Sequence, residues 1–287
     1  MTSTSGGYYV PHGSHWPIIG SIGLFVMLQG FGNYLNGESV GGTIMLAGFL
    51  ILLVMVFGWF RVVINESEAG TYNMQVDRSF RWGMSWFIFS EVMFFAAFFG
   101  ALYYARVFSV PWLAGADPGT NEVLWSGFEA AWPTNGPGEL GGEFEILDPW
   151  KIPALNTLLL LSSGVTITLA HWALKKGNRG SLVMWMFATI ALGITFLGFQ
   201  AYEYQEAYSS HHNLTLESGI YGSTFFMLTG FHGMHVTLGT IMLIVITLRC
   251  MKGHFTADRH FAFEAVAWYW HFVDVVWLGL FIFVYLL

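Results

Sequence analysis

The sequence predicts an all-α integral membrane protein with seven transmembrane helices, and three observations carry that expectation. Only 10% of the 287 residues are charged, whereas a soluble domain carries roughly 25% because its surface must face water. The mean hydropathy is +0.55. Seven stretches also reach the length of about 20 apolar residues that a helix needs to cross a bilayer with its backbone satisfied.

Those stretches are 17–36, 41–60, 82–105, 152–174, 180–202, 218–248 and 265–287. The first is interrupted by Gln29 and Asn33, and the third and last contain Glu91 and Asp274. The sixth runs without Asp, Glu, Lys or Arg and exceeds the hydrocarbon thickness, so it should tilt or project beyond the bilayer. Aromatic residues make up 18% of the chain, and Trp and Tyr favour the membrane–water boundary.

Charge distributes unevenly over the connections. Arg61, Arg78, Arg81, Lys175, Lys176, Arg179, Arg249, Lys252 and Arg259 fall on one side, and only Arg106 and Lys151 on the other. The positive-inside rule then places the N-terminus inside and the C-terminus outside, as an odd number of spans requires. The opening residues lack the basic and apolar parts of a cleavable signal, so the first span is expected to stay in the mature protein. A net charge of −7 argues against a nucleic-acid partner. The segment 106–151 contains seven acids, five prolines and seven glycines, which reads as a loop. It is either a plain solvated loop or an acidic surface that steers a basic partner.

Intramembrane polar residues are the functional candidates, since an Asp at a helix centre costs about 2.5–3.5 kcal/mol on an insertion scale. Glu91 sits mid-span among Phe89, Phe94, Phe95 and Phe98, where burial would favour its neutral form. It can serve as an interhelical hydrogen-bond donor or as a proton-carrying group. His271 and Asp274 are three residues apart, so one helix face presents both as a polar pair.

Ten histidines raise a metal or haem reading, but no bis-histidine arrangement on opposed helices stands out, and neighbouring helices should satisfy them. Cys250 is the only cysteine, which excludes an intrachain disulfide and a copper pair bridged by two thiolates. No phosphate loop, nucleophile elbow or HExxH is present, so no catalytic, cofactor or metal residue is expected in this chain. On the residues alone, a proton relay through Glu91, Asp274 and the histidines in a transporter stands beside an accessory structural role.

Four strings carry a family resemblance. HFAFEAVAWYWHFVDVVWLGLF (260–281), YGSTFFMLTGFHGMHVTLG (221–239), FRWGMSWFIFSEVMFF (80–95) and LNTLLLLSSGVTITLAHWAL (155–174) resemble the seventh, sixth, third and fourth helices of cytochrome c oxidase subunit III. The resemblance runs from about Trp16 to the C-terminus. It implies a single subunit with a two-helix bundle (1–66), a five-helix bundle (75–287) and a V-shaped lipid cleft between them.

It further implies phospholipid ligands at Trp59, Arg61 and Glu66 after helix two, and at Arg249 and His254 after helix six. Haem and copper are expected on the partner subunits I and II, with cytochrome c engaged through the complex, and subunit III sustaining proton uptake and active-site stability. The related ubiquinol oxidases usually lack the first helix pair, which this chain has, so cytochrome c is the expected donor and quinol the alternative. Departures include Asn65, Tyr72, Phe60 and Arg259, where many relatives carry Arg, His, Trp and His. The acidic loop resembles bacterial members and implies a bacterial inner membrane.

Overall fold

The computed structural model describes residues 9, 13–139 and 141–287, and among them no strand occurs. The chain forms α1 (Trp16–Leu35), α2 (Gly41–Glu68), α3 (Met74–Tyr104), α4 (Pro118–Leu124), α5 (Ile152–Lys175), α6 (Arg179–Ala207), α7 (Gly219–Lys252) and α8 (Phe261–Leu280). Seven of these are long and apolar enough to cross a membrane, α3 counted with its continuation to Ala116. The protein is a multi-pass, all-helical membrane protein.

Most helices outrun the apolar stretches that announce them. α2 continues to Glu68, α6 to Ala207 and α7 to Lys252, while α3 begins at Met74 and α8 at Phe261. Polar residues end the hydrocarbon-matching segment without ending the helix, because the backbone ladder continues wherever φ/ψ allows. At 34 residues, α7 is about 50 Å long, well beyond a core of about 30 Å.

The segment 106–151 is also more helical than its glycines and prolines predict. The backbone winds on in π-helical turns at Ala105–Ser109 and Trp112–Ala116. Pro118 then sits in the first turn of α4, where its missing N–H costs nothing. Asp117 caps that helix, its Oδ2 accepting from the Thr120 N–H at 3.1 Å and from the Thr120 hydroxyl. These hydrogen bonds hold its carboxyl below the usual carboxylate range.

The rest of the segment packs onto the bundle. Phe144 stacks parallel to Tyr221 with centroids 5.5 Å apart, and Trp132 meets the same ring edge-on. The Glu145 N–H donates to the His212 carbonyl at 2.8 Å, and Asn213 Nδ2 donates to the Glu143 carbonyl at 3.0 Å. Leu147 is buried. Six of the seven acids remain exposed, Asp117 being half-buried.

Two compact units result, dividing between Phe80 and Arg81. In the first, the buried positions of α1 and α2 are glycines: Gly23, Gly30, Gly41 and Gly48. A Cβ on Gly30 would strike the Met45 backbone, one on Gly41 the Tyr34 backbone, and one on Gly48 the Met27 backbone. The two helices therefore meet backbone to backbone, the close approach small residues permit in membranes.

The second unit has a side-chain core. Trp270 and Trp277 of α8 are fully buried at its centre. The Trp270 indole N–H donates to Ser163 Oγ of α5 at 2.8 Å, and that of Trp277 to Thr157 Oγ1 at 2.9 Å. The Trp270 ring fits between Gly193 of α6 and Gly239 of α7, where a Cβ would come within 2.8 Å and 2.9 Å of it. Across the α6–α7 seam, Tyr204 donates to Thr229 Oγ1 at 2.7 Å and Gln200 Nε2 to the Thr229 carbonyl at 3.0 Å.

Candidate functional sites: buried polar pairs and helix-end clusters

Glu91 of α3 faces His235 of α7, with Oε2 and Nε2 2.9 Å apart and side chains 22% and 6% exposed. His235 Nδ1 lies 2.7 Å from the Phe231 carbonyl one turn earlier, which assigns the Nδ1 proton to that bond. The contact with Glu91 then requires one further proton, held on the carboxyl or on Nε2. Phe95 meets the His235 ring edge-on at 5.0 Å and Phe94 tilts against it at 5.9 Å. Phe98 packs on Phe231, whereas Phe89 is exposed.

His232, one turn from His235, is fully buried and its Nε2 donates to the Val273 carbonyl at 3.2 Å. His271 and Asp274 lie close, but Nδ1 and Oδ2 are 3.9 Å apart, within ion-pair range and too long for a hydrogen bond. His271 Nε2 instead turns to Thr168 Oγ1 at 3.3 Å. Asp274 is wedged against Gly164, where any Cβ would collide with its Oδ2.

The residues the resemblance marks for lipid fall in two separate groups. In the first unit, Trp59 and Arg61 are exposed on the last turns of α2, and Glu66 is half-buried. Glu66 accepts the Tyr72 hydroxyl at 2.7 Å. Burial first, and the Glu66 carboxylate second, push the Tyr72 phenol above its ordinary range.

In the second unit, Arg249 is buried, its guanidinium 4.5 Å from the Phe255 ring centre. His254 follows Gly253, whose φ of +78° ends α7, and the His254 N–H donates back to the Arg249 carbonyl at 3.1 Å. Arg179 reaches across from α6 to cap the Cys250 carbonyl at 3.1 Å.

Two sites escape the sequence reading because each straddles the edge of an apolar stretch. Glu203 lies one residue past the expected end of its span, yet α6 continues and buries it to 1% exposure beside Gln200. The Glu203 carboxylate faces the Tyr285 hydroxyl without a well-aligned hydrogen bond, and the Asn156 amide has no hydrogen-bond partner among the described residues. The signal available was the spacing of Phe196, Gln200, Glu203 and Ala207 along one helical face.

At the other end of the bundle, His171 of α5, His260 at the N-cap of α8 and Glu264 of α8 converge, and the second oxygen of Glu264 pairs with Arg81 of α3. The spacing of His260 and Glu264, one turn apart, was the sequence sign of this cluster.

Fold and sites together define a polytopic membrane protein whose intramembrane polar groups largely face one another across helix seams. Comparison with known proteins makes the assignment specific: the family model for cytochrome c oxidase subunit III matches residues 7–287. Proteins named cytochrome c oxidase subunit 3 from Dugong dugon and from Marchantia polymorpha are 41% and 44% identical to it. They cover 99% and 95% of this chain, and the alignments cover 98% and 93% of the relatives' own length. The chain belongs to the cytochrome c oxidase subunit III family.

Proposed function

We propose that this chain is the accessory, non-redox subunit III of a proton-pumping oxidase that passes electrons from cytochrome c to oxygen. The observation that carries the reading is the family match across almost the whole chain. Haem and copper would reside on subunits I and II, which this chain contacts through its membrane helices, and cytochrome c would reach only the complex. The basic residues at one set of helix ends support an N-terminus inside and a C-terminus outside the membrane, and the bacterial inner-membrane reading rests on the acidic segment 106–151. Mild purification tests this. Co-purifying haem-bearing subunits, leaving this chain colourless after detergent stripping, is the expected result. Haem or copper retained stoichiometrically on the stripped chain would refute it.

Phospholipid binding is the second part of the proposal. Arg61 presents an exposed guanidinium and Trp59 an exposed indole on the last turns of α2, residue types suited to a phosphate and to headgroup level. Arg249 and His254 form a separate basic group at the end of α7. Glu66→Ala and Arg249→Ala should each lower bound phospholipid in native mass spectra and shorten the working life of the oxidase, with initial turnover nearly intact. Unchanged lipid occupancy in both variants would dismiss these sites.

The third part is support of proton uptake by Glu91, whose contact with His235 holds a proton inside the helix bundle. Because this contact lies in an accessory chain, Glu91→Gln should leave turnover within about tenfold of wild type, or about 1.4 kcal/mol in barrier.

A further inference from the structure

We propose that His171, His260 and Glu264 form a divalent-cation site with the chemistry of zinc. Their donor atoms, His171 Nε2, His260 Nε2 and Glu264 Oε1, stand 3.2, 3.1 and 3.6 Å from one another. A tetrahedral zinc ion with bonds of about 2.0–2.1 Å separates its ligand atoms by about 3.3–3.4 Å. The three atoms thus already mark one face of such a tetrahedron. Two imidazoles and one carboxylate are a donor set zinc accepts, whereas calcium and magnesium require mostly oxygen.

Outer partners orient the donors. His260 Nδ1 lies 3.0 Å from the Thr256 carbonyl, so Nδ1 carries the proton and Nε2 presents its lone pair. Arg81 engages Glu264 Oε2, which leaves Oε1 to face the two rings. The His171 ring rests on Phe263 at 5.5 Å. Without an ion, the Nε2–Nε2 contact is bridged by a proton donated from His171. Zinc takes that place, and the His171 proton moves to Nδ1 as the ring changes tautomer. His171 is 22% exposed, which gives the ion a way in and a water the fourth position. An ion here ties the end of α5 to the start of α8 and, through Glu264 and Arg81, to α3.

The test uses the full-length chain in its native complex, washed with chelator and titrated with zinc alone. His171→Gln and His260→Asn are the comparisons. Wild type should bind one zinc per chain more than either variant, or bind it at least about tenfold more tightly. Equal zinc stoichiometry and affinity in all three proteins would overturn the site. Should a variant fail to assemble, zinc-edge X-ray absorption on the wild type decides alone. The site predicts a zinc shell with imidazole and carboxylate at about 2.0–2.1 Å. A wild-type spectrum without imidazole, or no zinc retained, rejects it.

Discussion

Glu91 and His235 lie 144 residues apart in sequence and 2.9 Å apart in the fold, and the contact sets what each substitution should do. Glu91→Gln can still donate an amide N–H to His235 Nε2, whereas Glu91→Leu leaves that nitrogen buried without a partner. The expected difference in stability between the two variants is about 1–3 kcal/mol, read from thermal unfolding in detergent. Equal stability would show that the contact contributes nothing. Hydropathy and position made Glu91 legible as an acid within a span, although the structure leaves it 22% exposed, and the spacing of His232 and His235 made them legible as one face. The pairing was not legible, because nothing local to either residue records which distant helix will face it.

Tyr72 offers a pH-dependent test at the same scale. Its phenol is stabilised in the protonated form by burial and by donation to Glu66. With a folded pKa above that of the unfolded chain, this contribution is complete below about pH 10 and is lost as pH rises beyond it. Ultraviolet difference titration of wild type against Tyr72→Phe should therefore place this tyrosine's ionisation above that of a free phenol. Ionisation at the ordinary value would remove the Glu66 contact from the account.

Among the elements, α8 shows how small residues define the seat of a large one. Trp270 occupies the space that Gly193 and Gly239 leave open, and its indole N–H is fixed by Ser163. Gly193→Ala puts a methyl group within 2.8 Å of the ring. It should cost about 1–3 kcal/mol by overpacking, with a shift of the tryptophan emission as the Ser163 bond is strained. An unchanged emission and melting temperature would mean that the ring can move aside freely. The existence and order of all seven spans were legible from apolar length. Their ends were not, because hydropathy marks the width of the hydrocarbon and not the extent of the backbone ladder. That gap hid Glu203 past one predicted end and Glu264 just before another predicted start. The turns after α3 were hidden for a related reason: Pro118 reads as a loop residue and yet opens α4.

For the whole molecule, the contrast between the two units is one of packing principle. Residues 81–287 enclose a core of large side chains around Trp270 and Trp277, while residues 1–80 hold α1 and α2 together at glycine contacts. Gly48→Leu should therefore part α1 from α2 and release the N-terminal unit to proteolysis, while the second unit keeps its protease resistance. Wild-type cleavage kinetics in the variant would contradict the close-approach geometry.

The glycine contact between α1 and α2 bears on how this part of the chain can vary over generations. Phe25, Leu28, Leu46, Phe49, Leu50, Val54 and Phe57 all point outward, and any apolar residue of similar size can replace them without touching the helix pair. Gly30, Gly41 and Gly48 have no such freedom, since even one added carbon meets main chain. Sequence drift in this unit should thus be broad in its large residues and nearly frozen in its smallest. That inverts the expectation for a water-soluble core, where bulk is constrained and the outer face is free.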